Sequence, residues 1–139
     1  MFEFFRLWLT ALCAGFVVLG TAMALLAGTR AMAPMDWVAE TAYPPDALND
    51  TARQLRAWMT AVCGAVLAGW GLTLTILVAN AFQSRQAWVW WAVAAGLAVW
   101  FALDTGRSLF HRVYANAALN AVLLVLAAIP LIGTFGEFH

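Results

Sequence analysis

The chain has 139 residues, of which 65% are hydrophobic and 10% charged, with seven arginines and no lysine set against seven acidic residues. Soluble domains run at roughly 45–50% apolar and about 25% charged, so a soluble enzyme and a disordered tail are both excluded. The formal net charge is zero, which leaves no basic surface to follow phosphates, and no nucleic-acid partner is expected.

A membrane helix needs about 20 mostly apolar residues to cross roughly 30 Å of hydrocarbon. Four stretches meet that length: residues 7–29, 57–82, 86–107 and 113–133. Each begins just after an arginine, Arg6, Arg56, Arg85 or Arg112. An arginine stem can lie along apolar surface while its guanidinium reaches the headgroups, so these residues mark interfaces. Barrel strands would be about 10 residues long and would alternate apolar with polar; these runs do neither. Ala31-Met32-Ala33 has the form of a signal-peptide cleavage site. However, the apolar run before it exceeds the usual length of roughly 7–15 residues, and Pro34 would follow the cut. The first span is therefore expected to be retained.

The one long connection is an extramembrane loop over residues 30–52. It holds Pro34, Pro44 and Pro45, the acidic residues Asp36, Glu40, Asp46 and Asp50, and the aromatics Trp37 and Tyr43. The paired prolines prevent one helix from running through it. Asp50 is placed to cap the next helix. The loop reads as solvated, with an interfacial aromatic anchor, in preference to a lid or docking surface. The other two connections, near residues 82–86 and 108–112, are short and make their flanking helices antiparallel. The expected fold is all-α: an integral membrane protein of four helices in an up-down-up-down bundle, with both termini on one side.

Arg30, Arg53, Arg56, Arg107 and Arg112 fall on the long-loop side, and Arg6 and Arg85 on the other. The positive-inside rule then puts the loop in the cytoplasm. Arginine without lysine and abundant alanine point to a bacterial chain, and so to an inner membrane.

Small residues at four-residue spacing let membrane helices approach closely. Gly20, Ala24 and Gly28, then Ala61, Ala65 and Gly69 (with Gly64 and Gly71 alongside), and finally Ala117 and Ala121 read as packing seams. The segment from Arg6 to Cys13 matches that from Arg56 to Cys63 at five of eight positions, at an offset of fifty residues. The membrane alphabet is small, so coincidence is preferred over duplication. The two helices enter from opposite faces, so the sulfurs lie at different depths. A disulfide needs Cα atoms within about 7 Å, and two free, buried thiols are expected. Trp8, Trp58, Trp88, Trp90, Trp91 and Trp100 fall toward span ends. They read as interface anchors in preference to a pigment, quinone or haem box, and no cofactor is expected.

One polar constellation stands out. Asp104, Arg107, Ser108 and His111 are spaced i, i+3, i+4, i+7 and share a helix face. Asn116 and Asn120 form an i, i+4 pair on the last helix, beside Tyr114. A turn near residues 109–112 sets Asp104 and Asn116 at similar depth. An ionisable group in hydrocarbon costs about 2.5–3.5 kcal/mol and often marks an ion, proton or partner site. The preferred reading is structural: an Asp104–Arg107 ion pair, with the asparagines bonding across helices. A haem bundle would want two facing histidines, and the other histidine is the C-terminal His139. A zinc site needs three or four ligands. No phosphate loop, nucleophile elbow or carboxylate pair is present, so no catalytic or metal-ligating residue is assigned. Three functions compete. The leading one is a non-catalytic accessory or assembly subunit in the lipid bilayer, packed against other membrane subunits or itself. Next is a small oligomeric transporter or channel lined by Asp104, Asn116 and Asn120. Last is a membrane redox protein or enzyme.

Overall fold

The computed structural model describes residues 1–44 and 48–138. Pro45, Asp46 and His139 lie outside the described residues. Five helices follow in order: α1 (Phe2–Leu26), α2 (Ala33–Glu40), α3 (Asp50–Asn80), α4 (Ala87–Phe110) and α5 (Tyr114–Thr134). Short 3-10 turns follow α1, α3 and α5. All but α2 are long and apolar enough to cross a membrane. With 31 residues rising 1.5 Å each, α3 is about 46 Å long, well beyond a hydrocarbon core of roughly 30 Å. Its first turns, carrying Arg53 and Arg56, therefore stand outside.

The cap of α3 differs from the expectation. Asn49 is the N-cap, its side-chain oxygen accepting from the Ala52 N–H at 2.8 Å. Asp50 is the first helical residue. There its charge favours the helix N-terminus, and it lies 3.8 Å from Arg53.

Helix pairing is antiparallel throughout the bundle. Gly71 of α3 lies against Cys13 and Phe16 of α1, and Gly64 against Gly20 and Ala24. Arg6 donates to the Ala79 carbonyl at 2.8 Å. On the other pair, α5's Leu131 carbonyl accepts from the Trp90 indole of α4, and Asn116 meets Asp104. The α1–α3 and α4–α5 pairs are joined mainly through α1 and α5. The α1–α3 contact follows from the glycines. A Cβ at Gly64 would lie 2.6 Å from the Ala24 amide nitrogen and from the Gly20 carbonyl oxygen, so the two backbones touch only because it is absent. The seam on α3 therefore runs through Gly64, Ala68 and Gly71. Of the expected stripe, Ala65 and Gly69 turn away from α1: both are exposed, and a Cβ at Gly69 would meet nothing within 4 Å.

The apolar core joins all four spans in the half nearer the termini. It holds Leu9 and Cys13, Leu74, Val78 and Phe82, Val89, Trp90, Val93 and Leu97, and Ala127, Leu131 and Phe138. Outward positions such as Val18, Val66 and Ile132 stay large and apolar, as lipid contact requires.

Two expectations about buried side chains need correction. Cys13 is buried, but Cys63 is exposed. It sits one residue before Gly64, and a step of about 100° moves it off the contact face. Trp90 is not an interface anchor; it is only 9% exposed and gives its indole N–H to the Leu131 carbonyl at 2.9 Å. Trp58, Trp88 and Trp91 face outward, while Trp8 is half-buried against Phe4. Trp100 turns inward, toward Phe16 and Trp70.

Candidate functional site

The α4–α5 hairpin owes its shape to the way α4 ends. The Val113 N–H donates to the Ser108 carbonyl at 2.8 Å, and the Arg112 N–H to that of Leu109 at 3.1 Å. These are the two bonds of a Schellman ending, in which the residue after the cap adopts a left-handed conformation. Here that residue is Arg112, at φ 62°, where glycine would be the unstrained choice. The chain reverses at once, and α5 begins at Tyr114.

The reversal brings together part of the predicted constellation. The Asn116 amide nitrogen donates to Asp104 Oδ1 and to Ser108 Oγ, each at 2.8 Å. Ser108 Oγ lies 2.8 Å from the Asp104 backbone oxygen and 3.3 Å from Oδ1, and its single proton serves one of them at a time. One turn deeper, Asn120, only 3% exposed, donates to Thr105 Oγ1 at 3.3 Å. Interhelical hydrogen bonds in membranes average about 0.6 kcal/mol and reach about 1.7. The arrangement is a clasp that sets the register of α4 on α5.

Arg107 and His111 are not part of it. No Asp104–Arg107 ion pair forms among the described residues. Arg107 extends toward the helix end instead, as long cationic side chains in lipid do. Its guanidinium lies 5.1 Å from the Phe110 ring centroid and 3.0 Å from His111 Nε2. A guanidinium only donates, so Nε2 is the acceptor and the imidazole proton sits on Nδ1. Nδ1–H then donates to the Tyr43 hydroxyl oxygen, which lies 3.1 Å from the nitrogen.

Tyr43 belongs to the long loop, and it shows what sequence reasoning missed. The loop carries α2, which packs against α5 and buries Val38. Arg56 of α3 lies 3.4 Å from both Asp36 and Glu40. Two tethers thus hold the loop across this end of the bundle: Arg56 on one side and Tyr43–His111 on the other. The signal was present in the sequence. A proline in the first turn, followed by an aspartate, is a helix start, and Asp36 and Glu40 are one turn apart on one face.

Chemically, the clasp offers a single half-buried carboxylate already accepting from an amide and a hydroxyl. No group of three or more His, Cys, Asp or Glu side chains among the described residues could hold a metal ion. Comparison with known proteins adds no kinship: no family model, curated protein or solved structure matches the chain.

Proposed function

We propose that this four-helix membrane protein is a small non-catalytic subunit that assembles with another transmembrane helix through the outer face of α3. The observation that carries this reading is Gly69. Ala65, Gly69 and Thr73 recur at four-residue spacing on that face, all exposed, with open space over Gly69. Val62, Val66 and Ile76 stand exposed beside them. The same pattern, small residues beneath larger flanks, is what lets membrane helices meet backbone to backbone. The chain uses it internally at Gly20 and Gly64. The partner helix belongs to a larger membrane complex or to a second copy, in a bacterial inner membrane with the α2 loop in the cytoplasm.

Mild-detergent purification from the native membrane tests this. The wild-type chain should carry a partner in fixed stoichiometry or migrate as a defined oligomer. Gly69→Leu should lose that association while its own thermal unfolding is unchanged. A monomeric wild-type chain without a stoichiometric companion would refute the reading. A second reading, a small oligomeric transporter or channel, rests on Asp104 lacking an arginine partner. It requires Asp104→Asn to abolish ion flux in proteoliposomes while assembly is retained.

A further inference from the structure

One imidazole fastens the long loop to the last hairpin. His111 donates from Nδ1 to the Tyr43 hydroxyl oxygen and accepts at Nε2 from Arg107, at 3.1 and 3.0 Å. Its ring meets the Phe110 ring edge-on at 5.1 Å, and the Arg107 guanidinium lies over that same ring.

The two contacts answer protonation differently. A second proton goes to Nε2, where an arginine N–H already points. Two donors, both positively charged, then face each other across 3.0 Å, and that contact cannot last. On the Tyr43 side nothing has to turn. Nδ1–H remains the donor and the hydroxyl oxygen the acceptor. The donor is now charged, and a charge-assisted hydrogen bond is roughly twice as strong as a neutral one.

The surroundings decide which partner moves. Arg107 is exposed and has no carboxylate within 4.0 Å among the described residues, so its long side chain swings away at little cost. His111 is fixed as the C-cap of α4, its backbone N–H bonded to the Arg107 and Leu109 carbonyls. That end of a helix favours a cation. Other ionisable groups of this end are engaged elsewhere: Asp104 accepts from Asn116 of α5, and Asp36 and Glu40 of α2 lie against Arg56 of α3. Arg112 follows His111 in the chain and Tyr114 opens α5. No carboxylate lies within 4.0 Å of the His111 ring among the described residues.

We propose that the loop is a strap tightened by a proton: His111, on becoming an imidazolium, gives up Arg107 and strengthens its hold on Tyr43. Acid on this face of the membrane then clamps the α2 segment across the end of the bundle. The latch stands whether or not α3's outer face is covered.

The test is amide exchange in the full chain in nanodiscs, from about pH 8 to about pH 5.5, the window in which histidine titrates. Protection factors remove the intrinsic pH dependence of exchange. The reporters are the Thr41, Ala42 and Tyr43 amides, which bond back to the Trp37 and Ala39 carbonyls. Their protection should rise roughly fivefold on acidification, the difference between a neutral and a charged hydrogen bond. Tyr43→Phe and His111→Gln should each abolish the rise, and Arg107→Gln should keep it. Nitrogen NMR gives a second readout, since His111 and His139 are the two histidines. At the higher pH, His111 should carry its proton on Nδ1 with Nε2 bare. A loop that loosens or stays unchanged on acidification would overturn the proposal. So would a rise that survives Tyr43→Phe, a rise lost in Arg107→Gln, or a His111 proton found on Nε2 at the higher pH.

Discussion

Gly64 and Gly69 lie five residues apart on one helix, and their neighbourhoods make opposite demands. At Gly64 a methyl group would strike the backbone of α1, which cannot yield as a flexible side chain does. Gly64→Ala is expected to cost about 1–3 kcal/mol, the usual range for forcing atoms into a filled contact. Gly69→Ala meets open space and replaces the poorer helix former, so the monomer should be unaffected or slightly stabilised. Denaturation in detergent micelles, followed by circular dichroism, checks both; equal effects would mean that the α1–α3 contact is looser than described. The small-residue periodicity was plain in the sequence, and the choice between the two stripes was not. Ala61, Ala65 and Gly69 and the run through Gly64, Ala68 and Gly71 are equally small. Only the position of α1 shows which one is filled. The same rotation separates Cys13, buried, from Cys63, facing outward, although their local sequences are alike.

At the scale of elements, α2 shows how a short helix is held outside hydrocarbon. Eight residues are too few to be stable alone in water, so its order depends on Val38 packed inward and on the tethers from Arg56 and Tyr43. The Arg56 pairs are partly exposed, where such contacts contribute about 0.2–1 kcal/mol. Arg56→Gln should therefore speed amide exchange within α2 by roughly fivefold, leaving the hydrocarbon-embedded part of α3 unchanged. Unaltered exchange in α2 would mean that Val38 and the tyrosine hold the segment by themselves. Loop composition, rich in proline and acid, hid this helix, because the arginine that completes it lies outside the loop. The Asp104–Asn116 contact was more legible, since a tight turn between two long apolar runs leaves few registers. Arg107 was misjudged because spacing permits a contact with Asp104 but does not weigh it against the pull of the headgroup layer.

Across the whole molecule the two ends of the bundle are secured differently. Near the termini, side chains from all four spans interlock around Phe82, Trp90 and Leu131. Toward α2 the holding contacts are the glycine seam, the Asp104–Ser108–Asn116 clasp and the loop tethers. Helices in lipid gain little from burying apolar surface as such, so the denser interlocking should decide local stability. Exchange protection along α3 is expected to be strongest near Leu74 and Val78 and to fall toward Asp50. Measurement of residue-resolved exchange in nanodiscs checks this, and uniform protection along α3 would show that the clasp end is as strongly held as the core.

What the sequence determined by itself was the solvent and the topology. Long uncharged runs bounded by arginines leave no soluble alternative, because a backbone in lipid must satisfy its own hydrogen bonds within each span. Short connections then force antiparallel neighbours. Which face of each helix meets which was decided only by the tertiary structure. In a chain apolar on nearly every side, hydrophobic periodicity no longer separates inside from outside. Contact is chosen by shape, by the absence of a Cβ at Gly64, the room for an indole beside Leu131, and the reach of an asparagine to an aspartate twelve residues back.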